Sequence, residues 1–349
     1  MKVLEVNFEK TWRGGERQTL YCMLGFRDRG VETAVVCRKG YPMDEKAQEQ
    51  GFKTHALDGV FQLIAFLLTK AKYYDILHVE TAGALTYCVF TKAFHRTKVV
   101  YTRRVDFVPN GFLTWVKYRL TDKLVAISTA IKQILYDFSR RSIVHISEIV
   151  QIKNLNEERA QNELHELGVS TDTKVIGTVA ALEQHKDPLI MVEAIRLLKE
   201  KRNDFVFIHC GGGRLEESVK AKVQEYGLQD VYKMLGHKEQ VEDFFTVFDV
   251  YVMSSEQEGL GSSVLDAFAY KVPVVSTNAG GLKDLLENDR GILCDIKQPN
   301  QLAGGIDTVL NNFELRTSLT SKAYEYVIHD HSMEYITEKY IDLFEKMLD

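Results

Sequence analysis

Short runs of apolar and β-branched residues alternate with longer segments of helical periodicity along almost the whole chain. This alternation is typical of parallel β-sheets covered by helices, because two neighbouring parallel strands need a long crossover connection, which is usually a helix. The polar, charged segment 153–173 interrupts the alternation once, so we predict two such units with a boundary near residue 170. The length of 349 residues agrees, because one hydrophobic core seldom grows beyond about 250–300 residues.

The predicted fold class is α/β, with two doubly wound, Rossmann-like domains over residues 1–170 and 171–330. The final helical segment, about 331–349, has no strand after it, and we expect it to pack back on the first domain. Loops at the carboxyl ends of parallel strands bind ligands, so two facing domains would form a central cleft. The predicted strands are 2–8, 33–39, 75–80, 98–103 and 123–128 in the first domain, and 174–180, 205–213, 231–236, 247–255, 272–278 and 291–295 in the second.

Composition limits the class of protein. An apolar content of 45% and a charged content of 27% are those of a soluble globular protein. No apolar run reaches the 18 or so residues that a membrane span needs, and the first residues resemble a strand rather than a signal peptide. The five cysteines are scattered without CxxC spacing, which argues against disulfides and structural zinc and indicates a reducing, cytoplasmic location.

Charge is distributed unevenly. Residues 1–170 hold 25 Lys and Arg against 19 Asp and Glu, whereas residues 171–349 hold 19 against 30. Within 92–141 the basic residues number 11 and the acidic ones 3, and the apolar segment 60–74 ends in lysines. Solvated helix faces explain such runs, and so does a docking surface for an anionic membrane at the inner face of the cell membrane. The net charge of −5 disfavours nucleic acid as a partner.

The loop "EQEGLG" follows the predicted strand 247–255 and precedes a helical segment. We expect Ser262 or Ser263 to cap that helix, whose amino terminus would offer free N–H groups to a phosphate. Glu258 at the mouth of the loop can accept hydrogen bonds from sugar hydroxyls, and Asp266, one turn into the helix, can reach a ribose diol. A structural loop with a capping acid is the alternative for this spacing.

The segment 256–286, "EQEGLGSSVLDAFAYKVPVVSTNAGGLKDLL", resembles the donor-site signature of retaining glycosyltransferases of family 4, which have the two-domain GT-B fold. In that signature a Glu and a second Glu are separated by seven residues. Glu258 matches the first, and Asp266 stands in place of the second. The resemblance implies that Glu258 orients the sugar of a UDP- or GDP-type donor, while the backbone of Gly259, Leu260 and Gly261 holds the sugar and diphosphate.

Two further segments resemble the same family. "WRGGERQTL" is similar to its amino-terminal glycine loop, in which Gly14 and Gly15 let the backbone approach the donor phosphate or the acceptor. "TVAALEQHKDP" is similar to the segment that carries a basic pair for the diphosphate, and Lys186 matches its lysine. The partner arginine of the family is replaced by Ala181, so we expect Arg214 or Arg13 to supply the second cation.

Three more residues are assigned by the resemblance. His237 in "MLGHKEQ" would lie near the base of the donor. Arg104 in "KVVYTRRVDF" stands where many relatives have a histidine, and as a permanent cation it would clamp a phosphate or carboxylate of the acceptor beside Arg103. His78, at the end of a predicted strand, is matched in the family as well, and a structural histidine is the alternative.

The resemblance implies hexosyl transfer with retention of configuration, in bacterial lipopolysaccharide or cell-surface glycan synthesis. Fixed cations and helix dipoles can stabilise a departing diphosphate without a metal ion, and the sequence has no Asp-x-Asp triplet of the metal-chelating kind. We therefore expect Glu258 and Lys186 to be catalytic, no cofactor, and a glycan or lipid-linked acceptor. A nucleotide-sugar 2-epimerase and a non-catalytic nucleotide-sugar-binding subunit remain as alternatives.

Overall fold

The computed structural model describes all 349 residues and divides into two compact units. The first unit comprises Met1–Gln151 and Asp330–Asp349, and the second comprises Ile152–His329. None of the helices has both the length and the apolar character needed to cross a membrane.

The first unit contains a seven-stranded, fully parallel sheet. Its strands are β1 (Lys2–Val6), β2 (Glu32–Arg38), β3 (Lys53–Leu57), β4 (Ile76–Val79), β5 (Lys98–Arg103), β6 (Lys123–Ala126) and β7 (Ile143–His145), in the order β3-β2-β1-β4-β5-β6-β7. Its helices are α1 (Gly14–Asp28), α2 (Pro42–Glu49), α3 (Val60–Thr69), α4 (Ala82–Phe90), α5 (Lys92–His95), α6 (Phe112–Leu120) and α7 (Thr129–Ser139).

The two edge strands of this sheet, β3 and β7, were not among the predicted strands. β3 has the sequence KTHAL and only partly buried or exposed residues, and β7 is three residues long. Edge strands of this kind lack the continuous apolar run that marks a strand buried on both faces.

The second unit contains a six-stranded, fully parallel sheet. Its strands are β8 (Lys174–Val179), β9 (Phe205–Cys210), β10 (Tyr232–Gly236), β11 (Val250–Met253), β12 (Val274–Thr277) and β13 (Ile292–Cys294), in the order β10-β9-β8-β11-β12-β13. Its helices are α8 (Glu157–Glu166), α9 (Pro188–Lys199), α10 (Glu216–Glu225), α11 (Ser262–Ala269), α12 (Leu282–Leu286), α13 (Pro299–Asn311) and α14 (Phe313–Asp330).

The boundary between the units lies at residues 151 and 152 and not near residue 170, because α8 packs within the second unit. Arg159 Nε lies 2.8 Å from Asp243 Oδ2, and the backbone N–H of Asn156 donates to Asp243 Oδ1 over 2.9 Å. On the same helix Glu163 pairs with Lys238 at 2.9 Å. The polar segment of the sequence is thus an amphipathic helix, with Ala160 and Leu164 buried, and not a linker.

The last helix, α15 (Met333–Leu348), belongs to the first unit and packs on α1. Ser332 caps it by accepting a hydrogen bond from the N–H of Tyr335 at 3.2 Å. Its buried face contributes to a core shared with α1 and four strands, formed by Val3, Tyr21, Cys22, Phe26, Ile76, Val100, Val125, Ile336, Tyr340 and Phe344 among others.

Candidate active site

The strand order of the second unit reverses between β8 and β11, so the loops that follow these two strands separate at the carboxyl edge of the sheet. Such a topological switch point is where open parallel sheets bind their ligands. The loop after β8 carries Lys186 in a short turn of 310-helix, Gln184–Lys186, and the loop after β11 carries Glu258. The two residues expected to be catalytic therefore belong to the two loops of the switch point.

The side chains of Lys186 and Glu258 meet: the ammonium of Lys186 donates to Oε2 of Glu258, which also accepts from Ser255 Oγ at 3.2 Å. The backbone joins the same two loops, since the carbonyl of His185 accepts from the N–H groups of Glu256 and Gln257 at 2.9 and 3.1 Å. Both charged side chains are mostly buried, with 17% and 13% of their surfaces exposed. A cation and a carboxylate are thus held at the sheet edge with a face open to solvent.

Helix α11 begins directly after this loop. Gly261, and not a serine, is its N-cap, and no side chain caps it, which corrects the expectation for Ser262 and Ser263. Gly261 has φ of 111°, and a Cβ there would lie 2.7 Å from Cδ2 of Leu282, so a side chain at this position is strained and requires Leu282 to shift. Leu260 is buried, and a contact of its backbone with a donor stays a prediction. Asp266 lies one turn into α11 and is partly exposed.

The loop after β9 packs closely on the loop after β8. A Cβ at Gly211 would lie 2.0 Å from the carbonyl oxygen of Ala180, and one at Gly213 would lie 2.5 Å from that of Leu182. Arg214 follows, with 89% of its side chain exposed and Nε 3.5 Å from Glu183 Oε2. The structure therefore brings Arg214 to the loop that carries Ala181 and Lys186, and its role as the second cation stays a prediction.

His237 lies in the loop after β10 and is exposed. The preceding Gly236 has φ of 66° and accepts a hydrogen bond at 2.7 Å from the N–H of Gly211. This bond ties the loop after β10 to the loop after β9. Lys186, Glu258, Arg214 and His237 therefore all lie in loops at one edge of the sheet of the second unit.

In the first unit the strand order reverses between β1 and β4. Gly14 and Gly15 form the first residues of α1, after the loop that follows β1. A Cβ at Gly15 would lie 3.7 Å from Cδ of Arg104, so the glycine loop covers the arginine. The glycines and Arg104 thus come together at the switch point of this sheet.

Arg104 is held by two glutamates that sequence reasoning did not single out. Its Nε and one terminal nitrogen donate to both oxygens of Glu80, at 2.7 and 2.9 Å, and another terminal nitrogen donates to Glu148 at 3.2 Å. Burial alone would lower the pKa of Arg104, but the two carboxylates outweigh it and raise that pKa well above its ordinary value. The guanidinium is therefore a permanent cation whose charge is already paired within the unit.

His78 lies fully buried beneath this pair. Its Nδ1 is 2.8 Å from Glu5 Oε1 and its Nε2 is 2.8 Å from Thr102 Oγ1. Burial would lower the pKa of His78, yet the carboxylates of Glu5 and Glu80 raise it above its ordinary value. Ligand atoms of Glu5, His78 and Glu80 lie within 4.8 Å of one another, as metal ligands do, but hydrogen bonds to Arg104 already use both oxygens of Glu80. These contacts support the structural alternative for His78.

Arg103 is buried and has partners within the first unit for all its nitrogen atoms. It donates from Nε to the carbonyl of Val105 at 2.9 Å, from one terminal nitrogen to Tyr118 Oη at 2.6 Å, and from the other to the carbonyl of Phe107. The side chain thus holds the backbone of the loop after β5. A contact between Arg103 and an acceptor stays a prediction.

The sequence offered weak signals for the residues it missed. Glu80 is the last residue of the predicted strand 75–80 and directly follows β4 in the structure, and a polar side chain at the carboxyl end of a strand is a candidate for a site. Glu148 lies in an irregular segment after β7, and nothing in its neighbourhood marks it. Their joint role depends on Arg104, which lies 24 residues from the first and 44 from the second.

Comparison with known proteins finds a family model that matches most of the second unit. Residues 160–326 match the family model "Glycosyl transferases group 1". Over its whole length the chain is similar to the lipopolysaccharide core biosynthesis glycosyltransferase LpsE of Rhizobium meliloti, with 24% identity over 98% of both chains.

Solved structures show the same fold. The chain is similar to Anabaena HepE in complex with UDP and glucose, with a TM-score of 0.87 at 18% identity over 99% of this chain and 100% of that one. It is also similar to a glycosyltransferase from Rickettsia africae, with a TM-score of 0.88 at 19% identity over 100% and 98% of the two chains. Most of the second unit therefore matches the model of glycosyl transferases group 1, and the chain has the two Rossmann-like domains of the GT-B fold.

Proposed function

We propose that the protein is a glycosyltransferase that moves a hexosyl residue from a nucleotide-diphosphate sugar to a hydroxyl acceptor, with retention of configuration and without a metal ion. The observation that carries the proposal is the contact of Lys186 with Glu258 at the switch point of the second unit. A carboxylate there accepts hydrogen bonds from sugar hydroxyls, and an ammonium beside it binds the diphosphate to which the sugar is attached.

Two cations serve the diphosphate in this proposal. Lys186 lies at the loop after β8, and Arg214 replaces the cation that Ala181 cannot supply. The guanidinium of Arg214 is mostly exposed, and its Nε lies 3.5 Å from Oε2 of Glu183 on one side. Both positive charges stabilise the negative charge that develops on the leaving diphosphate, which is the main electrostatic demand of the reaction.

Retention follows from a front-face step. The bond between the anomeric carbon and the diphosphate oxygen breaks, and the acceptor oxygen bonds to the same face of the sugar. The acceptor proton passes to the departing phosphate oxygen, so the step needs no protein base. Gly259, Leu260 and Gly261 bind the sugar and diphosphate through backbone groups, Asp266 binds the ribose, and His237 lies beside the base.

The relatives favour a UDP-type donor and a cell-surface product. HepE binds UDP and glucose, and LpsE is a glycosyltransferase of lipopolysaccharide core biosynthesis. We propose the same classes of donor and product for this chain, with a glycan or lipid-linked acceptor that contacts the first unit near Gly14, Gly15 and Arg104. Arg104 would meet the acceptor through the exposed tenth of its side chain.

A panel of nucleotide sugars, each beside its free nucleotide, tests the proposal by thermal unfolding. A ligand that binds only the folded protein raises the unfolding midpoint by mass action. We expect one nucleotide sugar to raise it more than its nucleotide does, and NMR of the product formed with that donor to show the anomeric configuration of the donor. Inversion, sugar epimerisation without transfer, or loss of activity in EDTA with rescue by Mn²⁺ would each contradict part of the proposal.

A further inference from the structure

The hydroxyl of Tyr251 lies between the two strands that form the switch point of the second unit. Tyr251 belongs to β11, and its side chain is fully buried. Its Oη is 3.2 Å from the carbonyl oxygen of Val179, the last residue of β8, and accepts from the N–H of the same residue over 3.4 Å. It is also 2.7 Å from Oγ of Ser263, in the first turn of α11. One buried hydroxyl thus joins the end of β8 to the start of α11.

The two elements that this hydroxyl joins carry the proposed donor site. β8 leads into the loop of Lys186, and α11 begins directly after the loop of Glu258. Burial raises the pKa of Tyr251, and the nearby carboxylate of Glu258 raises it further, although the bonds to Ser263 and Val179 act in the opposite direction. The phenol is therefore protonated at neutral pH and donates a hydrogen bond beside the site.

The serine in this arrangement has a proton without a partner. A tyrosine hydroxyl has one proton, and in the contact with Ser263 the phenol is the donor and Oγ of the serine the acceptor. Ser263 donates to no group of the protein, whereas serines in helices commonly donate to a carbonyl one turn earlier. The side chain is also partly exposed. The serine proton is therefore available to a ligand.

Helix capping does not explain this serine. Gly261 and not Ser263 is the N-cap of α11, so the hydroxyl is not needed to begin the helix. A serine that accepts from a buried tyrosine is a polarised donor, because linked hydrogen bonds strengthen one another in a low-dielectric interior. Hydrogen bonds of such a donor are strongest when the acceptor is an anionic oxygen.

We propose that Ser263 is a further donor-binding residue, whose hydroxyl donates to an oxygen of the donor diphosphate, and that Tyr251 is a positioning residue that orients this hydroxyl. The inference rests on the proposed function, because it takes the diphosphate to lie between the loop of Lys186 and the start of α11. Tyr251 itself touches no part of the donor. It acts through Ser263, whose Oγ it holds toward the end of β8.

Titration calorimetry of UDP and GDP, each beside its nucleoside, tests both roles. Ser263→Ala should raise the Kd of the diphosphate that binds wild type about tenfold, the scale of one hydrogen bond to a charged group, and leave the Kd of the nucleoside unchanged. Tyr251→Phe should raise the same Kd by a smaller factor, because the serine hydroxyl remains but loses its orientation. In the double variant Tyr251→Phe/Ser263→Ala the Kd should equal that of Ser263→Ala alone, because one residue acts through the other.

Tyr232→Phe is the matched control for Tyr251→Phe. Tyr232 is a buried tyrosine of the same sheet, and its Oη is 3.0 Å from Nδ1 of His209. Both variants lose a buried hydroxyl, so both should unfold at a similarly lowered midpoint, but Tyr232→Phe should keep the wild-type Kd for the diphosphate. If both tyrosine variants raised that Kd equally, loss of stability would be the cause, and Tyr251 would not be a positioning residue.

Hydrogen exchange of the unliganded protein gives a second readout that needs no nucleotide. Tyr251→Phe should speed the exchange of the amide protons of residues 261–266, at the start of α11, and Tyr232→Phe should not. Exchange that Tyr251→Phe leaves unchanged would overturn the positioning role. If wild type binds UDP or GDP but Ser263→Ala and Tyr251→Phe bind it equally well, the inference is wrong and the proposed function stands. If wild type binds neither nucleotide, the proposed function fails and the inference fails with it.

Discussion

Lys186 and Glu258 lie 72 residues apart in the chain and bind each other at the switch point of the second sheet. Without a donor the two charges neutralise each other, so neither is left unpaired in a mostly buried position. A nucleotide sugar offers a partner to each: diphosphate oxygens to the ammonium, and hydroxyls to the carboxylate. Binding of the donor would exchange one ion pair for two new sets of charge-assisted contacts.

Replacing Glu258 by alanine should remove the contact to the sugar and leave the nucleotide contacts in place. We expect kcat/KM to fall by about 100-fold or more, on the scale of one lost charge-assisted contact to the reacting group. The thermal shift caused by free nucleotide should persist, while the additional shift caused by the sugar should vanish.

Glu256→Ala is the matched control for Glu258→Ala. Glu256 lies two residues earlier in the same loop and pairs with Lys297 at 2.9 Å. The proposed site does not use this side chain, so the variant should keep most of its activity and the full sugar-dependent shift. If both variants lost activity and the sugar-dependent shift equally, the losses would come from disturbing the loop and not from removing the carboxylate of Glu258.

Lys186→Ala and Arg214→Ala should both weaken binding of the diphosphate. A hydrogen bond to a charged group is worth about 1.5–3 kcal/mol, which corresponds to a rise of about 10- to 100-fold in the Kd of the free nucleotide diphosphate. Binding of the nucleoside without phosphates should not change, and titration calorimetry separates the two. Lys297→Ala, at a 59% exposed lysine of the same unit, serves as control. An unchanged Kd in Arg214→Ala would show that another cation replaces the one missing at Ala181.

Gly261→Ala should destabilise the donor loop. An alanine at φ of 111° is strained by about 1–2 kcal/mol, and its Cβ would also overlap Leu282. Gly304→Ala, in the interior of α13 with open space around it, should instead stabilise the chain by about 0.5–1 kcal/mol. Chemical unfolding measures the change in free energy of unfolding for both variants. A Gly261→Ala protein as stable as the wild type would show that the loop relaxes to accommodate the Cβ.

The buried strands and the position of the loop that carries Glu258 were predictable because their signals are local. β9 and β11 are buried along their whole length and β8 is buried except at its two ends. Glycines 259 and 261 mark the loop beside Glu258 in the sequence itself. The contact of Glu258 with Lys186 follows once two parallel strands are placed side by side, because both residues lie at their carboxyl ends.

The partners that charged side chains find in the folded structure could not be predicted from local sequence. Arg103 and Arg104 are adjacent in the sequence and equally basic, yet one holds a loop and the other binds Glu80 and Glu148. Arg103 bonds mainly to the backbone of the loop that directly follows it, whereas the partners of Arg104 come from distant elements and nothing local marks them. The domain boundary failed for the same reason, since the charges of α8 are satisfied by Asp243 and Lys238, far along the chain.

Arg104→Met tests the buried charge cluster of the first unit. Removing the guanidinium leaves Glu80 and Glu148 buried without their cation, and the loss of one partner of a buried pair typically costs about 3–5 kcal/mol. Arg140→Ala, at a 71% exposed arginine paired with Asp137, should change stability by less than about 0.5 kcal/mol. If urea unfolding gave similar values for both variants, Arg104 would not be needed to neutralise the cluster.

The stability of the second unit should depend on pH through His209. This histidine is buried between Tyr232 Oη at 3.0 Å and the carbonyl of Ala180 at 3.1 Å, and burial lowers its pKa to about 4. In the unfolded chain the pKa of this histidine has its ordinary value of about 6.5, so the unfolded state binds more protons than the folded state between the two pKa values. The free energy of unfolding therefore falls as pH falls through this window. From about pH 7.5 to 5 the group alone should cost roughly 2 kcal/mol. The glutamine of His209→Gln cannot titrate. Calorimetry should therefore show that the difference in free energy of unfolding between wild type and variant becomes smaller by that amount on acidification. The carboxylates contribute equally to both proteins and cancel in this difference. If this difference in free energy of unfolding stayed constant with pH, His209 would not be held neutral in the folded protein.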